Sequence, residues 1–98
     1  MFSYKIMQRS DETLLAICDK DLLGKTIKDQ NIEIELSKDF YGNEDCDEKK
    51  ALELASRATI INATGNNIVS LLIDNNIVNG DCVMKINDVP HAQVIVVA

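Results

Sequence analysis

His91 is the one histidine of this 98-residue chain and its leading candidate for a role in chemistry. It lies in the run Val-Pro-His-Ala-Gln, residues 89–93, which we interpret as a proline-containing loop. An imidazole titrates near neutral pH, so it can serve as a general base or contact a nucleic acid. Covalent catalysis would also need a cysteine beside it in space. A loop histidine can equally cap a strand, and the sequence leaves these roles open.

A second run, Gly24-Lys25-Thr26, has the ending of a phosphate-binding P-loop. That motif requires another glycine five residues earlier, with a strand before the loop and a helix after it. The earlier position is Asp19, whose carboxylate would repel a phosphate, and we predict a loop and a strand after Thr26. We therefore reject nucleotide hydrolysis and interpret residues 19–24 as a helical turn that ends at Gly24.

Phe40 and Tyr41 are two of the four aromatic residues, and they stand together in a predicted loop over residues 40–43. Exposed rings can stack on unpaired bases. Buried rings would instead fill the edge of an aliphatic core that lacks large side chains, which is the role the composition favours.

Gly65 and Asn66 stand immediately before a predicted helix. Free backbone N–H groups and the helix dipole could bind an anion there. A glycine at this position also serves a turn or close packing. These two residues are a candidate anion site.

The three cysteines, Cys18, Cys46 and Cys82, are widely spaced and form no C-x-x-C pair. With one histidine, they give no recognisable zinc-ligand spacing, so we expect no metal and no cofactor. Their odd number argues against a secreted disulfide framework and fits a reducing cytosol. We assign no catalytic residue.

The formal charge of −6 and the pI of about 4.6 differ from the basic surfaces of most nucleic-acid-binding proteins. RNA binding would therefore have to rest on a local cluster of residues. The acidic run at residues 44–48 lacks the calcium-loop pattern, and we interpret it as the start of a helix. No signal peptide or apolar span of about 20 residues is present, so we expect a soluble, cytoplasmic protein without a membrane partner.

The elements that must position these residues follow from the hydrophobic periodicity. Alternation predicts strands, and apolar residues at helical spacing predict two helices whose buried stripes contain Leu54 and Leu72. The segment 59–63 could be a strand or could continue the preceding helix, and Thr64-Gly65 favours the strand. The predicted strands cover residues 1–8, 13–18, 32–36, 59–63, 82–86 and 94–97, and the predicted helices cover residues 45–58 and 66–76. This order predicts an α+β fold, one compact domain over residues 1–98 with a mixed β-sheet and two helices packed on it.

Several of these runs together resemble a small archaeal family of unknown function. The resemblance covers nearly the whole chain. It rests on Asp19 with Leu-Leu-Gly-Lys-Thr at 22–26, Phe-Tyr-Gly at 40–42, Ala-Thr-Ile at 58–60 with Asn62 and Gly65, and Val-Pro-His-Ala-Gln at 89–93. That family carries a predicted RNA-binding label connected with translation. Asn76 stands where a glycine is usual in the family.

Three functions compete at this point. The first is an RNA- or ribonucleoprotein-binding module associated with translation, in which a lysine holds phosphate, rings stack and an amide reads a base edge. The second is an acidic adaptor for a basic partner such as a ribosomal protein or initiation factor. The third, ranked last, is an enzyme that uses His91. The RNA- or partner-binding candidates are Lys25, Thr26, Phe40, Tyr41, His91 and Gln93.

Overall fold

A computed structural model describes residues 1–42 and 44–96 of the chain. The strands are β1 (Phe2–Arg9), β2 (Glu12–Asp19), β3 (Thr26–Lys28), β4 (Glu33–Glu35), β5 (Glu44–Cys46), β6 (Ile60–Thr64), β7 (Val83–Ile86) and β8 (Val89–Ile95). The α-helices are α1 (Lys38–Tyr41), α2 (Glu48–Arg57) and α3 (Asn66–Asp74). Two short 3-10 turns cover Lys20–Leu22 and Gly80–Cys82.

The main sheet has six strands in the order β5-β1-β2-β6-β8-β7. Neighbours are antiparallel except β2 and β6, which run parallel because α2 lies in the connection between them. The predicted opening hairpin, the mixed sheet and the α+β class are confirmed. The segment 60–64 is a central strand, so its prediction as a strand is also confirmed.

Helices α2 and α3 cover one face of this sheet, which we call the helix face. Their buried residues include Leu54, Ile68 and Leu72, as the helical spacing predicted. They pack on sheet residues such as Ile17 and Ile61, which are fully buried. The aliphatic core predicted from the composition is therefore on this face.

The opposite face, which we call the hairpin face, is partly covered by the separate two-stranded sheet β3–β4 and by α1. Ile27 and Leu36 from this cover pack with Cys18 and Ile86 of the main sheet in a second buried cluster. The cover on the hairpin face was not predicted. The sequence analysis packed the two expected helices on the sheet and assigned no element to cover its other face.

Four sequence predictions were wrong in detail. Residues 40–41 end a short helix, because Ser37 caps its first turn by accepting a hydrogen bond from the Phe40 N–H. The predicted helix from residue 45 begins only at Glu48, because residues 44–46 pair with β1 and Asp47 is the N-cap.

Strand β8 begins five residues earlier than predicted, at Val89, because the positive φ angles of Asn87 and Asp88 close a two-residue hairpin with β7. Ile32, predicted to face inward, is 37% exposed, whereas Leu36 is fully buried. Asn43 of the predicted loop and Val97 of the predicted last strand lie outside the described residues.

Candidate functional site

Strand register places three rows of side chains across the hairpin face. One row runs Ser3, Cys18, Thr64, His91 and Met84. The next row contains Lys5, Ala16, Asn62 and Gln93, and the third contains Met7, Leu14, Ile60 and Ile95. Two of the predicted site residues, His91 and Gln93, are therefore neighbours on one face of β8.

A chain of three hydrogen-bonding side chains links the hairpin-face cover to the sheet. The Thr64 hydroxyl lies 3.2 Å from the Tyr41 hydroxyl and 2.8 Å from Nδ1 of His91. If Thr64 donates to Nδ1, it accepts from Tyr41, and the imidazole proton is then on Nε2. The structure thus brings together two predicted site residues, Tyr41 and His91, through a third residue that was not predicted.

Tyr41 and His91, the two side chains at the ends of this hydrogen-bonded series, are both uncharged near neutral pH. Burial raises the pKa of the Tyr41 phenol above its usual value, so it keeps its proton. Burial lowers the pKa of His91 below the ordinary 6.5, so its imidazole is neutral at pH 7. The hydrogen-bonded series is therefore suited to positioning the His91 ring rather than to holding a charge.

His91 lies within strand β8 and not on a loop, which corrects the sequence prediction. The preceding Pro90 is tolerated in an internal strand because the carbonyl of Gly65, which lies opposite it, accepts from the Val69 N–H of α3 and needs no donor from residue 90. Proline in this motif therefore marks a strand position beside the start of α3.

Cys18 and His91 do not form a cysteine–histidine catalytic pair. Cys18 lies in the same row as His91, but Thr64 stands between them, so their backbones are two strand spacings or about 10 Å apart. Burial, with a smaller contribution from Asp19, raises the pKa of the Cys18 thiol to about 12. A thiol with that pKa is a poor nucleophile.

One uncovered part of the hairpin face lies over β6 and β8. It consists of two directly opposed pairs, Ile60 with Ile95 and Asn62 with Gln93. Ile95 is 72% exposed, Gln93 is exposed, and Ile60 and Asn62 are partly exposed. We call these four residues the open region. It offers amide donors and acceptors beside an apolar surface, with His91 at one side.

Phe40 and Tyr41 have different environments although they are adjacent. Their rings meet edge to face with centroids 5.0 Å apart. Tyr41 is buried in the second core cluster, as the core-filling alternative predicted, whereas Phe40 is 36% exposed beside a groove that Ile60 also lines. Only Phe40 is exposed enough to contact a ligand from solution.

The predicted anion position at Gly65 and Asn66 is occupied by a carboxylate of the chain itself. Asp19 accepts from the N–H groups of Asn67 at 3.0 Å and Ile68 at 2.9 Å. A Cβ on Gly65 would overlap the carboxylate of Asp19, and the Gly65 φ angle is +129°. The glycine therefore permits this internal cap, and the two N–H groups are not free for an external anion.

Lys25 and Thr26 lie at the start of the β3–β4 hairpin and are exposed. Gly24 precedes them with a φ of +86°, and strand β3 rather than a helix follows, as the rejection of a P-loop required. No hydrogen bond among the described residues joins either side chain to His91. Within the described residues, the hydrogen bonds that link Tyr41, Thr64 and His91 therefore include neither Lys25 nor Thr26.

Sequence reasoning missed Thr64, Asp19 and Asn62 as site residues. Thr64 and Asn62 alternate along a short β-branched run, so their shared face could have been inferred from strand periodicity. The pairing of Asp19 with α3 spans 48 residues of sequence and had no local signal.

Within the described ranges, no group of three or more His, Cys, Asp or Glu could hold a metal ion. In that same part of the chain, no helix has the length and apolar character to cross a membrane.

Comparisons with known proteins give the chain a family but no activity. The model of a family described as "Protein of unknown function (DUF424)" matches residues 7–97. The crystal structure of an uncharacterized conserved protein from Methanopyrus kandleri matches with a TM-score of 0.80 and 25% sequence identity, over 95% of this chain and 89% of that one. No curated protein matches. Membership at the level of a family of unknown function agrees with the resemblance found in the motifs.

Proposed function

Because the chain belongs to the DUF424 family, whose description states no activity, we propose its function from the site: a cytoplasmic module that binds single-stranded RNA on the open region. The observation that carries this proposal is the opposed pair Asn62 and Gln93 on the exposed face of two internal strands. A role beside the translation apparatus, implied by the motif resemblance, belongs to the same proposal.

Amides on an open sheet can read unpaired bases. Each amide offers both a donor and an acceptor to a base edge, and RNA is read by sequence mainly where its bases are splayed out. The Ile60–Ile95 pair supplies apolar surface next to the amides. The neutral ring of His91 flanks them two residues along β8 and supplies a surface on which a base can stack.

Lys25 is the proposed phosphate contact. It begins the β3–β4 hairpin, whose Ile27 and Ile34 belong to the same apolar cluster as Val89 of β8. Thr26 beside it adds a hydroxyl. Because the whole chain carries a charge of −6, phosphate contacts have to be few and local, and binding should be weak at physiological salt.

A basic partner protein is the second candidate. It is favoured by the number of carboxylates that stay in solvent: the three ion pairs of the described residues use only Asp45 and Glu53 among the acidic side chains. Exposed Glu33 and Glu35 on β4 are examples. Complementary charge would speed encounter with such a partner more than it would strengthen the complex.

The test of RNA binding is fluorescence anisotropy with a labelled random single-stranded RNA about 12 nucleotides long, at about 50 mM and about 200 mM salt. Binding that weakens with salt, and that the double variant N62A/Q93A reduces at least roughly tenfold, supports the proposal. Lys25→Ala should make the negative slope of log affinity against log salt shallower by about 0.7. Asn67→Ala, which removes an exposed amide on α3, is the matched control.

Two results would decide against RNA. The first is equal binding by the N62A/Q93A variant and the wild type. The second is a pull-down in which one protein partner is retained after RNase treatment while no RNA is enriched. That second result would favour the basic-partner adaptor.

A further inference from the structure

The second half of β1 is a free edge of the main sheet. Among the described residues, β5 pairs only with residues 2–4 of β1, and residues 5–9 have β2 as their one neighbouring strand. Arg9 and Glu12 flank a two-residue turn and therefore form a hydrogen-bonded pair. From that point, non-hydrogen-bonded and hydrogen-bonded pairs alternate along the antiparallel ladder. The N–H and C=O groups of Ile6 and Gln8 therefore point away from β2. In the stretches that the structure describes, these four groups have no backbone partner.

Apolar surface is available on both sides of this edge. On the hairpin face, a groove of about 410 Å³ lies beside it, with Met7, Leu14, Phe40 and Ile60 among its lining residues. On the helix face, Ile6 is 43% exposed. A strand added at this edge could therefore bury side chains on both of its faces, which is how extended peptides gain affinity and specificity.

The charges along the edge select the occupant. Lys5 and Arg9 lie on the hairpin face on either side of Met7, and neither forms an ion pair within the described part of the chain. Lys5 donates to the Asp39 carbonyl at 2.7 Å. If two copies paired antiparallel through Ile6 and Gln8, Lys5 of each would face Arg9 of the other, and opposed like charges destabilise a sheet. A second copy is therefore disfavoured, and acidic residues are favoured opposite both cations.

We propose that this edge binds an extended, acidic segment of a partner protein by antiparallel strand addition. The segment carries acidic residues opposite Arg9 and Lys5 and an apolar residue opposite Met7. Its backbone pairs with Ile6 and Gln8, and the central apolar side chain lies at the mouth of the groove. This binding surface is separate from the open region and does not depend on RNA binding.

The first test uses the capped, labelled peptide Ser-Glu-Thr-Leu-Val-Glu-Ser, in which the two Glu face Arg9 and Lys5 and the Leu faces Met7. We expect saturable binding by fluorescence anisotropy. Methylation of the Thr and Val backbone nitrogens, which face Gln8 and Ile6, should abolish binding. Methylation of the Leu nitrogen, which faces away from the edge, should change it little. Equal binding by all three peptides would overturn strand addition.

The second test reverses a charge. Arg9→Glu should weaken binding roughly tenfold or more, and a peptide with Lys in place of its first Glu should restore it. Lys49→Glu, an equal charge change at an exposed position of α2, should leave binding close to that of the wild type. Equal weakening by the two variants would show that net charge alone attracts the peptide and would overturn the proposal.

The third test follows amide hydrogen exchange by NMR. In the free protein the Ile6 and Gln8 amides should exchange fast while the Met7 amide, which pairs with β2, is protected. The peptide should slow exchange at Ile6 and Gln8 alone. Protection of these two amides in the free protein at all concentrations would show that the edge is already covered. Protection that rises with concentration would show that the protein self-associates through this edge. Either result would overturn the proposal.

Discussion

The helix face and the hairpin face use alternate residues of the same strands for different purposes. On β6, Ile61 and Ala63 point to the helices and are completely buried, whereas Ile60 and Asn62 point the other way and are partly exposed. On β8, Ala92 is fully buried, whereas Gln93 on the opposite face is exposed. One face is a closed apolar core, and the other is only partly covered.

This difference shows where the chain can accommodate polar groups. The helix face buries apolar side chains against two helices, and its one buried carboxylate, Asp19, caps α3. The hairpin face places Thr64 and His91 under a small cover and leaves two amides uncovered. No buried side-chain nitrogen or oxygen of the described residues lacks a hydrogen-bond partner. Polar groups on the hairpin face are thus either satisfied internally or available to a ligand.

The largest expected effect is at the point where α3 meets the sheet. Gly65→Ala should lower the free energy of unfolding by about 4 kcal/mol, because the new Cβ would overlap the Asp19 carboxylate and the backbone has a left-handed φ. Urea denaturation gives the value. Gly80→Ala is the control, since the atom nearest to its added Cβ is Ile73 Cδ1 at 4.0 Å. Equal losses in the two variants would mean that the close approach at Gly65 is not a constraint.

Adjacent residues of β6 compare the two faces directly. Ile61→Ala should cost about 3 kcal/mol, because it opens a cavity in the closed core. Ile60→Ala should cost about 1 kcal/mol or less, because its side chain is already partly in water. Chemical denaturation of both variants measures the difference. Similar losses would show that the hairpin face is as closed as the helix face.

The hydroxyl of Thr64 tests the polar chain of the hairpin face. Thr64→Val should cost about 2 kcal/mol, because it removes a partner from both the buried Tyr41 hydroxyl and His91. Thr64→Ser keeps the hydroxyl and should cost about 1 kcal/mol or less for the lost methyl group. Thermal and urea unfolding should rank the two variants in this order. The reverse order would mean that packing, not hydrogen bonding, fixes Thr64.

The smallest expected effect is the pH dependence contributed by His91. Burial lowers its pKa below 6.5 in the folded protein, so in acid the unfolded chain binds a proton that the folded protein does not. Stability should therefore fall as pH decreases through about 6.5 and level off below the folded pKa. His91→Gln should flatten this part of the profile, measured as urea midpoints from pH 5 to 7.5. An NMR titration of the single histidine should give a pKa below 6.5; a higher value would contradict the partly buried ring.

Much of the fold could be predicted from local patterns. The stripes of α2 and α3 were predicted because apolar residues recur at the helical spacing, and their buried members Leu54 and Leu72 confirm it. The candidate site was harder to predict from the sequence. Phe40 and Tyr41 look equivalent in sequence, yet only the packing of α1 buries one ring and exposes the other. His91 was assigned to a proline-containing loop, whereas Pro90 fits within β8 because the Gly65 carbonyl opposite it accepts from the Val69 N–H instead.

The sequence by itself determined the class of the protein: an aliphatic, acidic α+β domain whose opening hairpin and two principal helices follow from periodicity and backbone preferences. The tertiary structure alone decided which residues act together. Asp19 reaches α3, and Tyr41 reaches His91 through Thr64, across tens of residues of sequence. Local patterns record the preference of each segment, but such contacts depend on strand order and register, which arise only when the sheet assembles.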